Sequence, residues 1–423
     1  MKGRVLCFTG LEHHIRGLFP IIKYLEKEGL EVECLTTINN RCISDLRGNF
    51  EFPLREKGIR YCLTYDYLDK EIVKQIESVR ERLGKEIKEK FENLILTCPL
   101  MEEGLWLGID DMVENYVLME KILEIKKPDI GLILHELNFW GKIFTYLLHR
   151  RGIPIVSLQE GLHPSGGREW LKTYLLRSEY STKVCVWGED TKKVFLDAGV
   201  PKEKIGIAGS SQYDELLRIP LNKMKEIKKS VMEELEIPSD KKVILFIGTK
   251  LSFFYNITRE EVGFMVDSLI NYIGRNDDLF LILKWHPIED KSFIKEKEKK
   301  MSKYKNIKNL YSGNITQLII TSNLILGFYS TSIIEALLLK KPVIEINFTG
   351  KNFLYSFANE GAALRLNGAE DLWKVKDIAY RGIDVQTKKQ VCQYLERMFY
   401  KLDGKSNERI MKVIKELLER KNR

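Results

Sequence analysis

Histidine and cysteine are sparse in this chain, and their placement excludes several kinds of site. Six histidines and seven cysteines are spread over 423 residues, with no CxxC pair and no histidine at ligand spacing from a cysteine. An odd, dispersed set, with Cys7, Cys34 and Cys185 inside apolar runs, predicts reduced core thiols rather than disulfides or zinc. No metal site is expected. Long hydrophobic runs are also missing, since none approaches the roughly 18–20 residues of a membrane span. The opening MKGRVLCFTG enters a strand-like run without the long apolar region and cleavage site of a signal peptide, which predicts a cytoplasmic protein. The loop TGLEHHIRG at 9–17 is no GxGxxG fingerprint and argues against nicotinamide binding. Zinc-finger spacing and RNP-type aromatic strands are absent, so no nucleic-acid partner is expected.

What is present is an alternation of short apolar runs with amphipathic stretches, the pattern of an α/β protein with parallel sheets. Strands are predicted at 3–9, 31–37, 129–136 and 154–161, with helices near 17–28, 70–92, 112–126 and 139–151. A second series starts at TKVCVWGE (182–189) and continues through strands at 241–249, 279–287, 324–330 and 341–347. The length exceeds what one hydrophobic core usually serves. We therefore expect a first α/β domain over 1–180, a second over 181–385, and C-terminal helices over 386–423 that pack back on the first domain. The net charge of +8 suggests an anionic ligand, and the charged helix at 70–92 suggests loose attachment to the inner membrane face.

Four stretches carry chemistry. In LILKWHPIED (281–290), a buried strand breaks at Trp285-His286-Pro287. Residues two apart on a strand share a face, so Lys284 and His286 would present two cationic or donor groups to an anion. In GFYSTSIIEALLLKKPVI (327–344), a strand ends at Tyr329 and three hydroxyl residues precede a helix. Ser332 and Glu335 have capping-box spacing; the rival reading has Ser330, Thr331 and Ser332 binding phosphate at that helix start while Glu335 reaches a ribose. Gly248 and Thr249 end another strand and should sit beside the same ligand. SLQEGLHPSGG (157–167) places Glu160 and His163 at a strand end as rival general bases. His13, His14 and Arg16 lie in the first loop, where they could touch an acceptor.

KWHP followed by YSTSIIEALLLKKPVI resembles the donor half of GT-B-fold transferases that use cytidine-activated donors. These are the bacterial sialyl- and polysialyltransferases, Kdo transferases and CDP-glycerol glycerophosphotransferases. VWGEDTKKVFLDAGVPKEKIGIAGSSQYDEL and KLDGKSNERI resemble their entry to the second domain and their C-terminal end, so the likeness spans roughly 130–415. It implies a GT-B fold of two Rossmann-like domains facing across a cleft. It implies that His286 and Pro287 of the HP motif, Lys284, and Ser330, Thr331 and Ser332 hold the donor phosphates, with Glu335 on the nucleoside. Gln159-Glu160-Gly161 matches the last two positions of the acidic-acidic-Gly motif that carries the base in sialyltransferases.

The implied activity is metal-independent, cofactor-free transfer of a sugar or glycerophosphate-like group from a CMP- or CDP-linked donor, with UDP as the other option. The acceptor would be a glycan or lipid-linked molecule of surface polysaccharide or glycolipid synthesis. The alternative is a non-hydrolysing UDP-sugar 2-epimerase, whose EAGLR segment QEGLHP resembles, although that family's first-loop Arg-Pro-Glu and later paired glycines are absent here. A non-catalytic nucleotide-sugar-binding protein is the third reading.

Overall fold

The computed structural model describes residues 3–10, 12–36, 54–95, 99–134, 136, 139–162, 178–249, 257–286, 289–353 and 355–421. Its described residues fall into two compact units, one formed by the chain up to 160 with 178–214 and 405–421, the other mainly by 215–404.

The first unit is built on a seven-stranded sheet in the order β3-β2-β1-β4-β5-β6-β7, every pairing parallel. The strands are β1 (Arg4–Thr9), β2 (Glu31–Thr36), β3 (Tyr61–Leu63), β4 (Ile130–Ile133), β5 (Ile155–Leu158), β6 (Lys183–Val186) and β7 (Ile205–Ile207). Its central strands are apolar on both faces because helices cover both. Val5 and Cys7 point to one side, with Ile15, Leu18 and Ile22 of the helix Glu12–Lys27 and Ile410 and Ile414 of the helix Ser406–Lys421. Leu6 and Phe8 point to the other, against Phe144, Leu147 and Leu148 of the helix Phe139–Arg150. The two-residue period of a strand sorts one run into two cores.

The second unit carries six parallel strands in the order β10-β9-β8-β11-β12-β13. They are β8 (Lys242–Ile247), β9 (Leu279–Lys284), β10 (Ile307–Leu310), β11 (Leu324–Gly327), β12 (Val343–Ile346) and β13 (Leu364–Leu366). Ile244, Phe246, Leu281, Leu283 and Leu326 pack against Met265, Val266 and Leu269 of the helix Arg259–Gly274. The buried Glu345 on β12 sits in register with Arg365 on β13, whose guanidinium closes on it at 2.8 Å. Both sheets reverse direction once, between β1 and β4 and between β8 and β11. Two parallel sheets of this doubly wound order, each flanked by helices, constitute the GT-B-like architecture.

Three features differ from the sequence expectation. Strands β6 and β7 join the first sheet, so that sheet runs past residue 180 to Ile207. The first helix begins at Glu12, not near 17, which places His13 and His14 in its first turn. The apolar stripe Ile15, Leu18, Ile22 and Leu25 holds the helix against the sheet through Pro20. The third concerns the expected C-terminal helices: the helix Ser406–Lys421 joins the first unit, whereas the helix Val385–Met398 belongs to the second. The Asp214 carboxylate, fully buried, accepts from the backbone N–H groups of Ser406 (3.0 Å) and Asn407 (2.8 Å), capping the C-terminal helix from a distant segment. Gly209 beside it has φ +82°, and a Cβ there would lie 2.5 Å from the Ser406 hydroxyl.

Candidate functional site

In an open parallel sheet, ligands bind at the carboxyl ends of the strands where the winding reverses. In the second unit that point lies between β8 and β11. Strand β8 runs out at Gly248-Thr249. The Gly248 N–H donates to the Lys284 carbonyl at 2.9 Å, and a Cβ on Gly248 would come within 3.1 Å of the Trp285 ring. Glycine there lets the ends of β8 and β9 close on each other. The Thr249 hydroxyl donates to the Tyr329 carbonyl at 2.6 Å, tying the chain after β8 to the chain after β11 across the reversal.

The hydroxyl cluster follows directly. Ser330 accepts from the Ser332 N–H at 3.2 Å, and Thr331, exposed, is the first residue before the helix Ser332–Leu338. The capping box expected of Ser332 and Glu335 does not form. Glu335 is buried instead and accepts from the Thr316 hydroxyl at 2.6 Å. The carboxylate is thus drawn to a neighbouring helix, because a buried charge keeps the donor that compensates its desolvation.

Lys284 and His286 end β9 in different environments. Lys284 is buried, and its ammonium donates to the Trp285 and Tyr311 carbonyls at 3.3 Å each. Burial holds its pKa below the ordinary lysine value. His286 is exposed to solvent. Partial desolvation, and then the Lys284 charge, hold its pKa below the ordinary 6.5. The pair places one buried ammonium and one exposed imidazole at the end of β9. Pro287 and His163 lie outside the described residues.

The first unit holds a second cluster. Residue 159, after β5, is pinned on three sides: the Gln159 N–H donates to the Cys185 carbonyl (3.0 Å), its side-chain oxygen accepts from the Trp187 N–H (2.7 Å), and its carbonyl accepts from the Trp187 indole (3.2 Å). The next side chain, Glu160, accepts from His13 Nε2, and His14 Nε2 lies 3.6 Å from the same carboxylate oxygen. The two imidazoles meet edge to face at 4.8 Å, with His14 almost fully buried and His13 exposed. Glu160 also lines a small hollow with Gly17, Trp187, Ser210, Ser211 and Gln212. Among the described residues, His13, His14 and Glu160 are the His, Cys, Asp or Glu group with donor atoms close enough to hold a metal ion.

Sequence reasoning passed over Glu136 and the Glu160–His13 contact. Glu136, just past β4, is buried and accepts from the Ser181 hydroxyl, which itself pairs with Ser157 at 2.5 Å. An acidic residue two positions after the apolar run IGLIL was the available signal. His13 is 147 residues from Glu160, and no local pattern announces that pairing.

Solved structures with the same fold cover almost the whole chain. UDP-GlcNAc 2-epimerase from Neisseria meningitidis, bound to UDP-GlcNAc, aligns with a TM-score of 0.66 at 16% identity over 99% of this chain and 100% of that one. The UDP-GlcNAc 2-epimerase of Methanocaldococcus jannaschii gives 0.63 at 18% identity over 98% and 99%. A glycosyltransferase from Rickettsia africae gives 0.59 at 15% identity over 99% of each chain. At such identities the likeness establishes the fold. No curated protein matches the chain. The family model described as CDP-glycerol:poly(glycerophosphate) glycerophosphotransferase matches residues 169–416, more than half of the sequence, and the chain belongs to that family.

Proposed function

We propose that the protein is an enzyme acting on a nucleotide-activated substrate and that it holds the nucleotide phosphates at the carboxyl ends of β8, β9 and β11. The observation that carries this reading is the Thr249–Tyr329 tie, which gathers Gly248, Thr249, Ser330 and Thr331 at the point of reversal of a doubly wound sheet. Hydroxyls and backbone N–H groups there would donate to phosphate oxygens, and His286 would add a charge-assisted bond. Ser332 lies one residue further, at the start of the helix. Such donors stabilise a departing nucleotide electrostatically.

Glu160 is the proposed proton acceptor, oriented by His13 and by the pinned backbone of Gln159. Two chemistries call for both a phosphate site and a base. In transfer, Glu160 deprotonates the acceptor hydroxyl; in epimerisation, a base removes a proton from the sugar ring itself. Family membership over 169–416 supports transfer of a glycerophosphate-like group or sugar. Likeness to UDP-GlcNAc 2-epimerases over nearly all of both chains gives epimerisation the broader support. Sialyl transfer draws no support beyond the short motifs. No described helix is long and apolar enough to cross a membrane. The helix Lys70–Ile95 carries nearly balanced Lys, Arg and Glu, which weakens the case for binding an acidic membrane surface.

Chromatography of UDP-GlcNAc and CDP-glycerol after incubation with the full chain tests the proposal. A new UDP-sugar epimer without acceptor supports epimerisation. Consumption only when a polyol-phosphate or glycan acceptor is added supports transfer. Absence of both binding and turnover with either nucleotide would contradict the proposal.

A further inference from the structure

We propose that His13, His14 and Glu160 form a binding site for one zinc-class divalent cation. The three residues supply two imidazole nitrogens and one carboxylate oxygen, a set that suits zinc, cobalt or nickel rather than magnesium or calcium, which take oxygen ligands. Their donor atoms all lie within 4.8 Å of one another. Two ligand bonds of about 2.0–2.2 Å meeting at the tetrahedral angle set their donor atoms about 3.3–3.6 Å apart. His14 Nε2 and Glu160 Oε1 are already 3.6 Å apart. His13 now touches the same oxygen directly, and its exposed ring can rotate back to admit the ion.

The frame around the three donors is rigid. His14 is buried in the first turn of its helix, between residues that pack on the sheet, so its ring is held in place before any ion arrives. Glu160 follows Gln159, whose backbone and side chain are both bonded to Trp187. Fixed ligands of this sort raise metal affinity by removing the cost of ordering them. The positive end of the helix opposes a cation, and the Glu160 charge offsets it locally. Three protein ligands leave one tetrahedral position open to water or to a ligand oxygen.

Glu160 is also the base in the function proposed above, and an ion on its carboxylate would block that role. Metal binding is therefore expected to inhibit, while the binding measurement itself does not depend on the enzymatic reading. The test is titration of the full-length chain with Co²⁺ in a non-chelating buffer, followed by its visible ligand-field bands, and then displacement by Zn²⁺. The expected result is one tetrahedral Co²⁺ per chain, displaced by Zn²⁺. Glu160→Gln and His13→Ala should each weaken binding by at least about tenfold, the lower end of what perturbing a metal's surroundings costs. His13 and Glu160 are not core residues, so these variants keep the fold, which circular dichroism checks. Failure to bind, equal binding by the wild type and both variants, or only the thiolate charge-transfer bands that exposed Cys392 would give, overturns the proposal.

Discussion

Replacing Asp214 by alanine should release the C-terminal helix from the first unit. The carboxylate is fully buried and accepts from two backbone N–H groups, Ser406 at 3.0 Å and Asn407 at 2.8 Å, that have no partner within their own helix. Each bond to a charged acceptor contributes about 1.5–3 kcal/mol, and water reaches a fully buried site poorly. Loss of both should cost about 3–5 kcal/mol after partial relaxation. Asp214→Asn keeps one acceptor oxygen and turns an amide toward the other N–H, so about half that loss is expected. Hydrogen exchange read by mass spectrometry on the peptide spanning 405–421 isolates this helix from the rest of a two-unit chain. Since 1.4 kcal/mol is a factor of ten, alanine should speed exchange there by at least about 100-fold. Unchanged exchange in Asp214→Ala, or identical behaviour of Ala and Asn, would refute the reasoning.

Further expectations concern the sites. His286→Ala should weaken CDP or UDP binding by about 10- to 150-fold, one charge-assisted bond, and leave the melting temperature unchanged because the ring is exposed. Because the free imidazole titrates below 6.5 and phosphate favours its protonated form, nucleotide affinity should rise as pH falls through that range. His286→Ala should flatten the rise to what the nucleotide's own phosphate produces; an unaltered slope in calorimetry would exclude the imidazole. Gly248→Ala should force β8 from β9 at Trp285, costing about 1–3 kcal/mol and weakening nucleotide binding together, as thermal unfolding and calorimetry would report. Glu160→Gln should slow turnover by about 10²–10⁴-fold with nucleotide affinity intact, and normal turnover would remove Glu160 as the base.

Central strands were legible because a strand buried on both faces reads as a continuous apolar run, as VILFI and LFLIL do. Missed strands lie at sheet edges: β3, β10 and β13 are three or four residues long, and every residue of β10 is only partly buried. So few residues carry no period. The apolar run of β6 was visible at 182–189, but which sheet it joins is decided by pairing with β5, a contact between segments that no local pattern encodes, and β7 then pairs with β6. The same limit governed the sites. Gly248, Thr249 and Ser330 were readable as strand-end residues, whereas Glu335's bond to Thr316 and Glu160's bond to His13 depend on helices brought in from elsewhere. The segments GSSQYDEL and KLDGKSNERI, each quoted for its family likeness, are joined through Asp214 and Ser406.

Titration calorimetry of CDP and UDP against the full chain and against the double variant Ser330→Ala, Thr331→Val tests the central claim, that nucleotide phosphates bind beside the Thr249–Tyr329 tie. Both side chains are at least partly exposed, so their loss should leave the fold intact. Loss of two hydroxyl bonds to phosphate predicts a fall of about tenfold or more in affinity for the diphosphates, and no change in the weak binding of cytidine or uridine. Diphosphate affinity equal to the wild type in the double variant would contradict the claim and move the phosphate site elsewhere.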